Sequence, residues 1–218
     1  MRTLAIETAS EACSIALFDG TKLLANEHAV LGRGHAERLV PMIAQLPDKG
    51  RADRILVSLG PGSFTGVRIG IAAARALGIA WGAEVLGYPT LSLVAVRAWQ
   101  PTLRGVTVCM NGGHGEWFVQ NFTADGATDD VRSLSPENAR AACDHETIVG
   151  NRATELAAMF ENEKGMGEKL ALDLLPDASK TYLLHETKLT AELSPVYGRE
   201  PDAKPQSTKL PRKEASKP

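Results

Sequence analysis

The residues best suited to chemistry form a glycine-rich loop between a short apolar run and a helical pattern. The loop consists of Gly60, Pro61, Gly62, Ser63, Phe64, Thr65, Gly66, Val67 and Arg68. Glycines permit tight turns and close backbone approach, and the amides at a helix N-terminus attract anions. The pattern suits an anion site, but it lacks the lysine of a Gly-x4-Gly-Lys-Ser/Thr phosphate loop. As evidence for phosphate binding it is weak.

Other reactive side chains do not fall into catalytic patterns. No Gly-x-Ser-x-Gly marks a hydrolase nucleophile, and no histidine has a second histidine four residues later. Helical His-x3-His and His-Glu-x2-His metal pairs are therefore excluded, and a site built from distant histidines is an unfavoured alternative. His114 and Glu116 are close enough in sequence to act as acid and base, but they lie in a glycine-rich turn. Asp129 and Asp130 suggest a solvated polar loop rather than a metal site.

Small residues recur every four positions in the helical pattern that follows the loop. They are Gly66, Gly70, Ala74, Gly78 and Gly82, and this spacing places them along one helix face. Each interior glycine costs about 1 kcal/mol of helix stability relative to alanine, so something must pack unusually close to this stripe. Two interpretations stay open: an internal neighbour, such as a helix over 36–46, or a helix of a partner protein.

The elements that must position these groups follow a definite order. Apolar alternation and helical periodicity predict β-β-β-α-β-α-β, and Asp19-Gly20 is a typical tight turn between the second and third strands. The predicted strands are 3–8, 13–18, 22–28, 55–59 and 84–87, and the predicted helices are 36–46 and 66–81. This order indicates a mixed sheet flanked by helices.

The second half of the chain repeats part of this plan. Ser135-Pro136-Glu137 has the form of a helix N-cap followed by a proline at the first helical position. The predicted strands are 106–111, 117–122 and 147–150, and the predicted helices are about 136–143, 152–163 and 178–190. We therefore expect two related lobes, residues 1–100 and 101–198, with the last helix packing back on the first lobe.

Composition narrows the functional classes further. The chain has 218 residues and a net charge of −2, so it lacks a global basic field for nucleic acid. No apolar run approaches the roughly 20 residues needed to cross a bilayer, and the N-terminus does not resemble a signal peptide. The three cysteines are widely spaced, which suits free thiols in a reducing compartment. We expect a cytoplasmic protein.

Residues 199–218 differ from the rest of the chain in charge. They contain six basic residues, three acidic residues and four prolines. Because the whole chain carries −2 and this segment carries +3, residues 1–198 carry −5. Such a segment cannot bury enough apolar surface to order itself, so we expect a disordered tail. A weak contact to RNA phosphates is the less favoured alternative.

Several segments together carry a resemblance to a known family. They are residues 4–9, 13–17, 35–43, 60–70 and 195–205, and the Gly-Pro-Gly-Ser-Phe-Thr-Gly block is the most specific among them. These segments resemble the bacterial TsaB (YeaZ) family. The similarity is dense over residues 3–95, thin through 115–190, and returns near the end.

The resemblance implies an α/β fold of the actin-like or Hsp70-like ATPase superfamily, with two ribonuclease-H-like lobes whose mixed sheets are flanked by helices. It also implies a non-catalytic scaffold subunit, not itself an enzyme, that is required to form N6-threonylcarbamoyladenosine at position 37 of tRNA (t6A37). The partners implied are a catalytic TsaD-type paralogue in a heterodimer and a TsaE-type small ATPase. ATP and a metal would belong to these partners, and this chain alone would bind no cofactor. It would meet tRNA only through the complex, and without its partner it would form a homodimer.

By the same resemblance, the first two helices of the first lobe bind the paralogue. The partner-binding residues carried over are Ala36, Leu39, Val40, Ile43, Gly66, Gly70, Ala74 and Gly78. The family's motif loop corresponds to Gly60, Pro61, Gly62, Ser63, Phe64, Thr65 and Arg68.

The chain departs from the family pattern at three places. Glu7 stands where the family usually has aspartate, and the longer carboxylate disfavours a metal or phosphate role. Residues 111–116 keep only the glutamate of the usual Asp-Ala-Arg-Arg and Glu motif. Gly198 replaces the leucine of the usual Tyr-Leu-Arg.

Two other functions are less favoured by the sequence than the scaffold. The alternative function is an ATP- or metal-dependent threonylcarbamoyl transferase in its own right, which the missing histidine pair and lysine disfavour. A peptidase would need a nucleophile or zinc motif, which the sequence lacks.

Overall fold

Two mixed β-sheets, one from each half of the chain, organise the computed structural model. The model describes residues 1–100, 103–161 and 169–198. The tail predicted for 199–218 lies outside these residues. The helix predicted over 152–163 is shorter than expected, because it spans Ala153–Ala158 and residues 159–161 form a turn. Residues 162 and 163 lie outside the described part of the chain.

The first sheet has five strands in the order β3-β2-β1-β4-β5. They span Arg2–Glu7 (β1), Ala12–Asp19 (β2), Lys22–Val30 (β3), Arg54–Ser58 (β4) and Glu84–Tyr88 (β5). The first three strands are antiparallel, whereas β4 is parallel to both β1 and β5. Gly20 adopts a φ of 57° in the turn between β2 and β3, as the Asp-Gly pair predicts.

Two helices cover one face of this sheet. Helix α1 (His35–Gln45) is amphipathic and turns Leu39, Met42 and Ile43 into the core. Helix α2 (Phe64–Trp81) is rich in alanine, begins after the capping hydroxyl of Ser63, and ends at a left-handed glycine. Their inward side chains join those of β1 and β4 in one apolar cluster.

The second sheet repeats the plan of the first. Its strands are β6 (Val106–Gly113), β7 (Glu116–Thr123), β8 (Gly126–Ala127), β9 (Arg132–Leu134), β10 (Thr147–Val149) and β11 (Leu170–Leu172). Its order is β11-β10-β6-β7-β8, with β9 also on β7, and β6 is antiparallel to β7 but parallel to β10. Helix α4 (Pro136–Ala141) precedes β10 and α5 (Ala153–Ala158) follows it, as α1 and α2 flank β4.

A helix that the sequence reading missed lies between the two sheets. Helix α3 (Thr90–Ala98) packs Leu93 toward the first sheet, and Leu91 and Val94 against the second. Because it is buried on several sides, even Thr90 and Ser92 are almost inaccessible to solvent, and the helix lacks the broad polar face that marks a surface helix. It joins the lobes through packed side chains.

The prediction of one helix over about 178–190 is wrong. Two short 3-10 helices, Ala178–Leu183 and Glu186–Lys188, occupy this segment. Leu184 is extended between them, and the hydroxyl of Thr181 donates to the carbonyl of Ala178 at 2.9 Å, which suits the tighter turn. Ala178 and Leu184 pack on the face of the first sheet opposite α1 and α2.

The segment from Thr190 to Gly198, which we call the C-terminal strap, returns along the first sheet. Thr190 and Gly87 exchange backbone hydrogen bonds at the β5 edge, and the amide of Val196 donates to the carbonyl of Leu59 at 2.7 Å. A side chain at Gly198 would meet the Phe118 ring and Pro61, so the strap ends between the lobes. Across the described residues, no helix is long and apolar enough to span a membrane.

Candidate functional site

The motif loop connects β4 to α2 and closes against the end of β1. The amide of Ser63 donates to the carbonyl of Ala9 at 2.7 Å, and the hydroxyl of Ser63 accepts from the amide of Gly66 at 3.1 Å. A Cβ atom at Gly62 would overlap the Ala9 carbonyl. Two amides at the start of α2 are therefore satisfied by the chain itself, and the backbone fills the space beside them.

The glycine stripe of α2 faces this chain's own sheet. A Cβ at Gly66 would overlap the carbonyl oxygen of Thr8, and one at Gly70 would overlap the Thr8 hydroxyl. That hydroxyl donates to the carbonyl of Gly66 at 2.8 Å. Gly78 lies equally close to Val85 on β5. Ala74 is also buried, whereas Gly82, the C-cap of α2, is exposed. The first four members of the stripe pack inward because the helix must approach the sheet closely, so the interpretation that they receive a partner helix is wrong.

Most of the predicted partner-binding residues share this inward direction. Leu39, Ile43, Gly66, Gly70, Ala74 and Gly78 are all buried in the first lobe. Only Ala36 and Val40 of that set are exposed, Val40 at 59%.

A different face of the same two helices is open. Helix α1 presents Ala36, Val40 and Ala44, and helix α2 presents Ala72, Ala76, Ile79 and Ala80. Ile79 is 87% exposed, although it is a large aliphatic residue. We call these seven residues the outer α1–α2 face. The sequence does indicate this face, through a second series of apolar residues that is out of phase with the glycines. The predicted interface followed the glycine series instead.

A cleft of about 850 Å³ separates the two lobes. The motif loop and the β1–β2 turn form one wall, and the β6–β7 hairpin and Asn151 form the other. The side-chain amide nitrogen (Nδ2) of Asn151 donates to both carboxylate oxygens of Glu11 at 2.9 Å, and this contact links the two walls. The volume is typical of a small-ligand pocket.

The lining of this cleft carries little positive charge. Arg68 is the one arginine or lysine among the described lining residues, and its guanidinium contacts Phe64 and Tyr197. The carboxylate of Glu11 accepts from Asn151, and the amides of Ser63 and Gly66 donate to Ala9 and Ser63. Triphosphate sites typically combine clustered cations with free amides at a helix N-terminus.

Glu7 lies at the end of β1 and has no exposed surface. Its carboxylate accepts from the amide of Ala9 at 2.7 Å and lies 3.2 Å from the hydroxyl of Tyr88. Burial raises the pKa of Glu7 to about 7, because the charged form loses its hydration. The carboxylate therefore lies in the interior of the first lobe, beside Ala9 and Tyr88.

The second-lobe motif forms the tip of the β6–β7 hairpin. His114 has a φ of 54° between two glycines and lines the cleft, whereas Glu116 accepts from the hydroxyl of Ser133 at 2.6 Å. The amide of Asn111 donates to Asn151 at 2.8 Å. Glu116 therefore braces the hairpin instead of pairing with His114.

The remaining polar candidates are structural. Asp129, one of the two adjacent aspartates, accepts from the backbone of Asn121 at 2.8 Å and from Arg132 at 2.6 Å. Within residues 1–100, 103–161 and 169–198, no group of three or more histidine, cysteine, aspartate or glutamate side chains is placed to hold a metal.

Phe64 and Arg68 at the start of α2 meet Tyr197, which is distant in sequence, at the rim of the cleft. The Arg68 guanidinium carbon lies 3.3 Å from the centre of the Phe64 ring and 5.0 Å from that of Tyr197, and Arg68 also donates to the Tyr197 hydroxyl. The ring centres are 5.6 Å apart. We call these residues the rim cluster. Sequence reasoning missed it because Tyr197 lies 129 positions after Arg68.

Two mixed sheets with the same strand order, flanked by helices and separated by a cleft, define the actin-like ATPase class of fold. A family model described as "TsaD: tRNA N6-adenosine threonylcarbamoyltransferase" matches residues 27–158. The chain is 33% identical to the tRNA threonylcarbamoyladenosine biosynthesis protein TsaB of Escherichia coli, with 91% of this chain and 95% of that protein covered. The chain belongs to the TsaB (YeaZ) family.

Two further comparisons agree with this assignment. An uncharacterized protein of Mycobacterium tuberculosis is 31% identical, with 93% of each chain covered. The solved structure of YeaZ from Pseudomonas aeruginosa is 27% identical and superposes with a TM-score of 0.72, covering 90% of this chain and 99% of that one. The similarity therefore extends over both lobes.

Proposed function

We propose that this chain is the non-catalytic subunit that supports formation of N6-threonylcarbamoyladenosine at position 37 of tRNA. The observation that carries the proposal is its similarity, over almost the whole of both chains, to a TsaB protein named for threonylcarbamoyladenosine biosynthesis. In this proposal the chain pairs with a TsaD-type catalytic paralogue, and a TsaE-type ATPase joins the assembly. Nucleotide and metal are held by those partners.

The geometry of the cleft supports a non-catalytic role. The position beside the start of α2 is filled by the carbonyl of Ala9, and the buried Glu7 is directed into the core. The amide of Ser63 and the carboxyl group of Glu7 therefore form hydrogen bonds within the chain.

The outer α1–α2 face supports the pairing. Exposed apolar patches on otherwise polar surfaces typically mark sites of protein association. Its alanines let another helix approach closely, and Val40 and Ile79 provide larger contacts at 59% and 87% exposure. In this proposal the same face closes a homodimer when the paralogue is absent, because two-fold association also buries it.

Reconstitution of tRNA modification tests the proposal. Purified paralogue, small ATPase and a source of threonylcarbamoyl groups are incubated with tRNA, with and without this chain, and modified adenosine is measured by mass spectrometry. We expect product only when this chain and the paralogue are both present. Product from this chain without the paralogue would make it the transferase, and product that does not depend on it would remove it from the reaction.

A matched pair of variants tests the surface. Ile79→Glu places a charge on the outer α1–α2 face, whereas Leu170→Glu places one on β11, where Leu170 is 53% exposed. We expect Ile79→Glu to weaken pairing at least about tenfold, because charge must be desolvated in an apolar contact. Leu170→Glu should pair normally, with both variants retaining the wild-type circular dichroism spectrum. Equal pairing by both would place the interface elsewhere.

A further inference from the structure

The rim cluster is an exposed aromatic surface that the core of the first lobe does not use. Phe64 is 62% exposed and Tyr197 is 38% exposed. Within the described residues, Tyr182 is the one other exposed aromatic side chain, and it lies beside Phe18 on the first lobe. Helix α2 packs on the core through its opposite side, so the ring of Phe64 is exposed to solvent.

The arrangement of the rim cluster suits flat, electron-rich ligands. A guanidinium lies over one ring and is hydrogen-bonded to the other, so the rings are held in position while much of their surface stays open. Single-stranded nucleic acids are bound in this way, since bases stack on aromatic rings and arginine planes and the cation attracts the phosphate.

The charge of the chain changes sign at the same place. The described chain ends at Gly198, directly after Tyr197, and Gly198 is packed against Phe118 and Pro61 at the cleft. By sequence, residues 199–218 carry +3, whereas residues 1–198 carry −5. The basic part of the chain therefore begins beside the exposed rings, and its charge favours the approach of a polyanion to this place.

We propose that the rim cluster binds single-stranded RNA, with a base stacked on Phe64 and Tyr197 and a phosphate near Arg68. The inference rests on the proposed function, because the anticodon loop that contains position 37 is a single-stranded part of that substrate. It goes beyond that function by giving this subunit a direct contact to the RNA. A protein partner is the less suitable occupant, since the outer α1–α2 face already provides the apolar surface that association requires.

Binding of a fluorescein-labelled anticodon stem-loop RNA tests the inference. The assay uses the full-length chain in complex with its paralogue, and compares wild type, Phe64→Ala and Tyr197→Ala, with Tyr182→Ala as an exposed aromatic control. We expect the first two variants to raise the Kd about 5- to 20-fold, because each removes a stacking surface. Tyr182→Ala should leave the Kd unchanged.

Photo-crosslinking separates RNA from protein contacts. Benzoylphenylalanine at position 64 should cross-link to the stem-loop RNA, and the same group at position 182 should not. An unchanged Kd for Phe64→Ala, or a cross-link from position 64 to the paralogue instead of the RNA, would overturn the inference.

The modification assay keeps this inference apart from the proposed function. If the wild-type chain does not promote threonylcarbamoyladenosine formation, the proposed function fails. If it does, and Phe64→Ala promotes formation equally well at limiting RNA with an unchanged Kd, only the RNA contact fails. Heterodimer formation by Phe64→Ala, checked by size-exclusion chromatography, is expected to match wild type, and its loss would identify the rim cluster as a protein contact.

Discussion

Glu7 is a carboxyl group whose surroundings favour the protonated acid. It is fully buried, and the groups that donate hydrogen bonds to it, among them the amide of Ala9 and the hydroxyl of Tyr88, carry no positive charge. Burial therefore raises its pKa from 4.5 to about 7. Sequence reasoning could not foresee this burial, which depends on Tyr88 and α3 reaching β1 from elsewhere in the chain.

The raised pKa predicts a pH-dependent contribution to stability. The unfolded group titrates near 4.5 and the folded group near 7, so its favourable contribution is complete below pH 4.5 and is lost as the pH rises to about 7. The loss is on the order of 3 kcal/mol. Glu7→Gln removes this titration, so its free energy of unfolding relative to wild type should increase between about pH 5 and pH 8. Urea denaturation of both proteins measures this difference, and parallel pH profiles would contradict it.

Helix α2 shows at the scale of elements why one pattern supports two opposite interpretations. Four-residue spacing of glycines correctly predicts that a neighbour lies unusually close to one face. The spacing does not say whether that neighbour belongs to the same chain. The structure provides the answer through Thr8, whose carbonyl and hydroxyl lie against Gly66 and Gly70.

The inward stripe predicts a loss of stability, instead of a loss of pairing, when a glycine is filled. In Gly70→Ala the new methyl group meets the hydroxyl of Thr8 and the side chain of Val57. Overpacking should lower the free energy of unfolding by about 1–3 kcal/mol. This loss should exceed the gain of roughly 1 kcal/mol that alanine provides over glycine through its helix propensity. Thermal unfolding should show a lower Tm.

Ala76→Leu on the outer α1–α2 face is the matched control. Ala76 is exposed, so its enlargement should change stability by less than about 0.5 kcal/mol. A Tm for Gly70→Ala equal to or above wild type would show that the helix can move away from the sheet.

Most of the element order was predictable, and some short elements were not. The seven elements predicted from β1 to β5 occur, because each is marked by a helical period or by an apolar run bounded by turn residues. Strands β9 and β11 were missed, whereas β10, which is equally short, was predicted because its apolar run ends at Gly150. Helix α3 was missed because burial from both lobes removes its polar face. The rim cluster depends on a contact across 129 positions, which no local pattern encodes.

At the scale of the whole molecule, the two lobes are joined by α3 and by a polar bridge across the cleft. Asn151 donates to both oxygens of Glu11, and the Glu11 carbonyl accepts from the amides of Leu31 and Gly32. The second lobe is therefore connected to the β1–β2 turn and to the start of α1. A movement of one lobe would therefore displace the segment before α1, at the edge of the outer α1–α2 face.

Loss of the bridge should loosen the cleft without unfolding either sheet. Asn151→Ala removes hydrogen bonds to a charged group, which should cost about 1.5–3 kcal/mol. Hydrogen exchange at Leu31 and Gly32 should accelerate, since their acceptor residue becomes mobile. Asn26→Ala on β3, where the side chain is exposed, is the control and should change neither quantity. Unchanged exchange in Asn151→Ala would show that α3 alone fixes the lobes.

The C-terminal strap has a consequence for how the protein is made. The first sheet is complete once Tyr88 has been synthesised, yet the β5 edge bonds to Thr190 and the sheet face opposite α2 is covered by Ala178 and Leu184. During translation, this edge and this apolar face remain uncovered while about half of the chain is still to come. Exposed strand edges pair readily with other chains. The nascent first lobe therefore exposes surfaces that a chaperone would protect. A fragment that ends after α3 should aggregate under conditions in which the full chain does not.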